Sequence, residues 1–151
     1  MLHTAKLFEQ IGVVGNIDPD AYTVNSYSTG WIDMSQWQDL LAIIQAGDLG
    51  SSATLDGKFE QALTDGGSPK DISPARAITQ MTQAGTDKSN KQALLHLRAE
   101  ELDVDNGYRF ARLTLAVGTA TSDVGAVVIG SNGRHGPVSS YDASSVDQMV
   151  G

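Results

Sequence analysis

Residues 91–118 read KQALLHLRAEELDVDNGYRFARLTLAVG, and the fold of the chain turns on how this stretch is paired. Asp105-Asn106-Gly107 is a turn signal, because Asp and Asn tolerate tight backbone geometry and glycine adopts positive φ without steric cost. Read as a three-residue loop, a type I turn closed by a left-handed Gly107, it sets Val104 opposite Tyr108 and predicts a β-hairpin. In that register Ala99 faces Leu113, Leu97 faces Leu115 and Leu95 faces Val117, while Glu100 meets Arg112 and Asp103 meets Arg109 as opposite charges. A two-residue Asn-Gly loop shifts the pairing by one, sets Leu97 against Ala116 and scatters the apolar residues over both faces. The three-residue register is the consistent one, and it predicts antiparallel sheet.

Outward from this stretch the chain breaks into short β-branched or apolar runs punctuated by glycine, at 22–28, 30–34, 39–46, 52–62, 77–83, 92–102, 108–118 and 124–130. Over 52–63 the period is two: Ala53, Leu55, Gly57, Phe59 and Leu63 share one face, and Thr54, Asp56, Lys58 and Glu60 share the other. Residues 124–130, VGAVVIG, are apolar on both faces and uncharged, which predicts a central strand covered on both sides. Residues 64–74, TDGGSPKDISP, read as an exposed loop. Two segments also admit a helix. Trp37, Leu40, Leu41 and Ile44 have helical spacing, with Ser35 and Gln38 as a capping box and Gly47 as a stop. Residues 91–102 are rich in helix formers, although the cross-strand matching favours strand.

The expected fold is therefore all-β: an antiparallel β-sandwich, jelly-roll-like, over residues 22–137, with a short N-terminal arm at 1–21 and a flexible C-terminal tail at 138–151. In the arm, Leu7, Phe8 and Ile11 form one apolar face of a short helix that Gly12, Gly15 and Asp18-Pro19-Asp20 break. Beyond Gly130 the apolar content is too low to pack independently, so that segment is expected to be disordered or tied down on a partner.

A chain of 151 residues has the size of one domain, able to build a core without metals or disulfides. Its 18 acidic residues outweigh 10 basic ones, for a formal net charge of -8. That balance opposes broad contact with phosphate backbones or anionic lipid, so neither nucleic acid nor a membrane is expected as a partner. With no cysteine, disulfide frameworks, thiolate metal sites and cysteine nucleophiles are excluded. The opening residues MLHTAK lack the apolar core and cleavage site of a secretory leader, which predicts a soluble, unexported protein.

Candidate chemistry is sparse. The histidines are His3 in the arm, His96 on the outward face of its strand beside Arg98, and His135 in Gly133-Arg134-His135-Gly136, a loop suited to presenting Arg134 and His135 to a partner. Residues 103–107, DVDNG, resemble the opening of a calcium loop, but the glycine comes one residue early and the position for a bidentate Glu falls near Thr114. The stretch is read as a turn. No nucleophile elbow, Walker-type loop, dinucleotide fingerprint or His-Glu-x-x-His occurs. Asp18 and Asp20 have no neighbouring features that argue for acid-base work, and Glu100 and Glu101, adjacent on a strand, point to opposite faces. The expectation is no catalytic residue, no cofactor and no metal. Trp31 and Trp37, with Tyr22 and Tyr27, are read as core or interface anchors ahead of a sugar-stacking surface.

The strings GWIDMSQWQDLLAIIQAGDLGSSATLDGKFEQALTDGG, DISPARAITQMTQAG, ALLHLRAEELDVDNGYRFARLTLAVG and AVVIG, spread over residues 30–137, resemble a family of small virion structural proteins of tailed bacteriophages and prophages. The resemblance implies capsid decoration, or cement. Such proteins sit outside the head shell, usually as trimers at threefold or quasi-threefold positions, and bridge major capsid subunits against the pressure of packaged DNA. It implies the major capsid protein as partner, a homo-oligomer with a trimer favoured, and the outer capsid surface as location after assembly in the host cytoplasm. It also favours a strand at 39–46. A tail tube or head-to-tail joining protein is the alternative within the same virion, and a carbohydrate-binding module for host attachment, using Trp31 or Trp37, is the alternative from another class. No contact residue carries over by motif. Leu7, Phe8, Ile11, Arg134, His135 and Tyr141 are read as partner contacts from expected exposure and composition alone.

Overall fold

The computed structural model describes residues 4–151, so His3 lies outside the described residues. Among the described residues ten strands follow in chain order: β1 Ile11–Tyr22, β2 Asn25–Ser28, β3 Ile32–Asp33, β4 Asp39–Ala46, β5 Thr54–Ala62, β6 Lys70–Asp71, β7 Met81–Thr82, β8 Gln92–Arg98, β9 Phe110–Gly118 and β10 Ser122–Ser131. They form two antiparallel sheets. Sheet A has the order β1-β10-β4-β8; sheet B has the order β2-β9-β5-β6, with β3 also on β9 and β7 also on β5. The pairing is nested: β1 lies beside β10, β2 beside β9, β4 beside β8, and β5 beside β6 and β7. An antiparallel ribbon folded over on itself in this way is a jelly roll, the topology expected from the sequence. Among the described residues no helix is long and apolar enough to cross a membrane.

The predicted hairpin is the main correction. Its turn forms, with a 3-10 turn at Val104–Asn106 and Gly107 left-handed at φ 82, but its arms part into different sheets. After β8 a 3-10 turn at Ala99–Glu101 and the buried Leu102 carry the chain across the end of the sandwich. β8 then pairs with β4, setting Leu97 beside Leu40 and Leu95 beside Ala42, while β9 pairs with β5, setting Leu113 beside Phe59 and Leu115 beside Gly57. All four leucines belong to one core, contributed from its two opposite walls rather than from one ribbon. The charges re-pair accordingly: Arg112 with Glu60, Arg109 with Asp33, and Asp103 with Lys70. Alternation specifies which side of a strand is buried but not which neighbour lies beside it, and each arm satisfies it against a strand other than its partner in the turn.

Other readings shift in detail. β4 occupies residues 39–46 as a strand, with Leu40, Ala42, Ile44 and Ala46 inward, so the helix alternative falls. Leu63 lies past the end of β5 and is exposed, off the face that Ala53, Leu55, Gly57 and Phe59 share. The segment read as an arm contributes a single 3-10 turn at Leu7–Glu9 and then the longest strand, β1, so the sandwich begins at Ile11 and not at Tyr22. Register shifts between Val13 and Gly15 and between Ile17 and Asp20 interrupt the period of two that would have announced it. The segment after Gly130 is tied down, but on its own domain. Val138 is buried, the Val13 N–H donates to Asp142 Oδ1 at 2.7 Å, and the Ala143 N–H donates to the Val13 carbonyl at 2.6 Å.

Candidate functional site

The outer face of sheet A is where this domain departs from an ordinary soluble surface. On β4, Leu41 and Ile43 alternate outward between the buried Leu40, Ala42 and Ile44. The ladder sets Val127 and Leu94 on either side of Ile43, and Ile129 on one side of Leu41. Val13 of β1 pairs with Ile129, which extends the row to the edge strand. The result is two apolar rows, Val13–Ile129–Leu41 and Val127–Ile43–Leu94, lying on the solvent side of a sheet whose inner side already holds the core. Leu94 is 66% exposed and Val127 39%. The prediction that 124–130 is covered on both sides holds for one side only. Contiguous apolar surface of this kind marks a binding surface more often than chance exposure does.

The face is bordered by polar groups. At the β8 end of the Leu41 row, His96 Nε2 stands 3.2 Å from Asp39 Oδ1, and Arg98 Nε stands 3.7 Å from the same oxygen. At the far end Pro19 lies over Gly125, where an added Cβ would come within 3.0 Å of the proline Cα. Two hollows of ≈ 610 and ≈ 270 Å³ adjoin there and share Pro19, Gln45 and Gly125. An apolar plate with a polar rim and a groove at one end suits docking and holds no nucleophile-base pair.

The outer face of sheet B is opposite in character. Its centre is Glu60, whose side chain is 10% exposed and accepts from Arg112 Nε at 3.0 Å and from Thr114 Oγ1 at 3.0 Å, with Lys58 Nζ at 3.2 Å. Burial pushes the Glu60 carboxyl upward, but the hydrogen bonds from Arg112, Lys58 and Thr114 outweigh it and hold the group below its ordinary value. Ser28 Oγ continues the network at 2.8 Å from Thr114 Oγ1, and the Arg112 guanidinium lies 4.6 Å from the Trp31 ring. Alternation on β5 and β9 brings these groups together, because Lys58 and Glu60 point outward beside Thr114 and Arg112 across the ladder.

The six residues read as partner contacts lie elsewhere, at one end of the sandwich. Leu7 is exposed and Phe8 and Ile11 are half-buried. The 3-10 turn that carries Leu7 and Phe8 packs beside the one at Val138–Tyr141. Tyr141 meets the Trp37 ring edge-on at 6.4 Å between centroids. Arg134 and His135 are exposed in the loop between β10 and that turn, where the Arg134 N–H donates to the Gln36 carbonyl. Trp37 itself is core, 3% exposed, so of the two tryptophans only Trp31 reaches solvent. None of the six belongs to the apolar plate. Its residues were overlooked although VGAVVIG carried the signal, two apolar faces where one core needs a single face.

No family model matches this chain, and no curated protein matches it. Among solved structures it is similar to a chain in "Structure of infectious bursal disease virus Gx strain", at 10% identity and a TM-score of 0.36, over 85% of this chain. This chain spans only 30% of that one, and a likeness at this level adds nothing to the jelly-roll assignment, which rests on strand order.

Proposed function

We propose that this protein is a non-enzymatic virion structural protein that decorates the outside of a tailed-phage capsid, bridging major capsid subunits through the outer face of sheet A. The observation that carries the reading is the pair of apolar rows, Val13–Ile129–Leu41 and Val127–Ile43–Leu94, on the solvent side of sheet A, with Leu94 and Val127 exposed and the other four half-buried. The family resemblance over residues 30–137 supports the virion setting, and jelly rolls serve in viral coats among other places. A net charge of -8 keeps such a protein soluble before assembly and suits an outer surface away from packaged DNA. In this reading it binds the assembled lattice in preference to the free subunit, as a homo-oligomer with a trimer favoured, and its binding free energy adds to shell stability by mass action. No bond is made or broken.

The test is composition and imaging of purified particles. The expected result is many copies on DNA-filled heads and none on isolated tails, with sheet A against the shell. Copies confined to tails would transfer the protein to the tail tube or joining role; absence from both would end the virion reading.

A further inference from the structure

The outer face of sheet B carries a hollow of ≈ 580 Å³ above the Glu60 network, on the side of the sandwich opposite the apolar plate. Its charged lining residues are Asp56, Lys58, Glu60 and Arg112, which sum to zero. These groups are fixed before any ligand arrives. Arg112 is stacked on Trp31 and bonded to Glu60, Lys58 reaches both Glu60 and Asp71, and Asp56 Oδ2 accepts from Gln80. Hydrogen-bonding capacity nevertheless remains. Arg112 has five N–H donors and engages Glu60 with its Nε and one Nη, and Asp56 accepts that bond at only one of its oxygens. The hydroxyls of Ser26 and Ser28 stand at the exposed margin, and Ala116, Ala77 and Ile78 supply apolar contact.

We propose that this hollow binds a neutral, polyhydroxylated ligand, a pyranose or short glycan. Each sugar hydroxyl both donates and accepts, so it is served by alternating cations and carboxylates, and its C–H face is served by the alanine and isoleucine wall. An anionic ligand would gain Arg112 and Lys58 but meet Asp56 and Glu60 as like charges. The ordered groups limit what binding must immobilise, which is the usual cost of polar recognition. The inference goes beyond the capsid reading and does not depend on it, since it concerns the opposite sheet and is tested on the isolated protein.

The experiment is a titration of the recombinant chain with glucose, galactose, mannose, rhamnose and N-acetylglucosamine and their disaccharides, with inorganic sulfate as the anion control. The readouts are amide shifts and Trp31 emission. The expected result is saturable binding of at least one neutral sugar, with shifts confined to Ser28, Asp56, Lys58 and Thr114 and their neighbours. Asp56→Ala, at a half-exposed position, should weaken it by about tenfold while leaving the melting temperature unchanged. Absence of saturable binding across the neutral panel would overturn the proposal. So would sulfate binding in place of sugars, or sugar binding that Asp56→Ala leaves intact.

Discussion

Gly12 and Gly130 are paired across the β1–β10 ladder and together make the floor on which the Trp37 indole lies. A Cβ on Gly130 would stand 2.6 Å from two ring carbons of Trp37, and one on Gly12 would stand 2.6 Å from a third. Val138 shares the core with Trp37 and Tyr141 meets its ring edge-on, so the tryptophan is held by the first strand, the last strand and the tail. Gly130→Ala should destabilise the domain by about 1–3 kcal/mol through overpacking against a ring that has nowhere to move. Trp37→Ala should cost more, about 3–5 kcal/mol, by opening the same space. Urea denaturation at neutral pH distinguishes them from a surface change, and a Gly130→Ala protein as stable as the parent would remove the clamp from the account.

Glu60 makes stability depend on pH in a direction that can be worked out. Its carboxyl is held below the ordinary value in the folded state, so the unfolded chain takes up a proton first as pH falls. The stabilisation is fully present above the unfolded value of about 4.3 and is lost as pH drops through the folded one. Asp33 shifts the same way: burial raises its carboxyl, and bonds from Ser35 and Arg109 more than compensate. Glu60→Gln should therefore cost about 1–3 kcal/mol at pH 7, by leaving Arg112 and Lys58 short of a partner. The difference from the parent should shrink as pH falls from 7 towards 3 and the folded carboxyl takes up its proton. Melting curves across that range check it, and a constant difference would show that the charge is not the cause.

The apolar plate separates folding from binding. Leu94 is mostly exposed on β8, so Leu94→Lys should change unfolding free energy by no more than about 0.5 kcal/mol. In the proposed docking role the same change should lower affinity for assembled shells by tenfold or more, about 1.4 kcal/mol, as should Val127→Asp. Sedimentation of shells with each variant measures this. Undiminished binding by both would mean that another surface does the docking.

Strand alternation made the sandwich legible, and the topology was much less so. In residues 52–62 a clean period of two located β5, because that strand has one dry face, whereas residues 39–46 also had helical spacing and the strand there was favoured by the family resemblance alone. In residues 11–22 two bulges and two glycines, Gly12 under Trp37 and Gly15 against Thr29, replace alternation with a pattern that reads as a broken arm, although the pairing with β10 is long. The hairpin misreading has a related origin. Leu95, Leu97, Leu113 and Leu115 have to be buried in either arrangement, and local pairing rules cannot tell neighbours in one sheet from opposite walls of a core. The Glu60 cluster was hidden for the same reason, since Arg112 was matched to the nearer Glu100 in sequence. Its true partner lies on β5, reachable only once β9 is known to run beside it.

The turn between β8 and β9 remains a test of local reading. Gly107 has φ 82, and a Cβ there would meet only Leu63 Cδ2, at an ordinary 3.7 Å. The cost of a side chain is therefore conformational and not steric crowding. Gly107→Val should destabilise by about 1–3 kcal/mol, and Gly107→Asn, which tolerates the left-handed region, by less. Equal melting temperatures for the two variants would contradict the assignment.

Asp142 governs the exposed edge of sheet A. β1 has β10 on one side only, and at the register shift after Val13 its backbone would stand open to pairing with another chain. The tail closes that point from both directions, Asp142 Oδ1 on the Val13 N–H and the Ala143 N–H on the Val13 carbonyl. Asp142→Ala removes the first contact and should cost about 1 kcal/mol. Deleting residues 138–151 removes both, together with the Val138 and Tyr141 cover on Trp37. The deletion should speed hydrogen exchange at Val13 and shift Trp37 emission to the red, whereas Asp142→Ala should do the first without the second. If the deletion leaves Val13 as protected as in the parent, the tail is a passenger on the edge of β1 and the bulge alone keeps that edge from pairing.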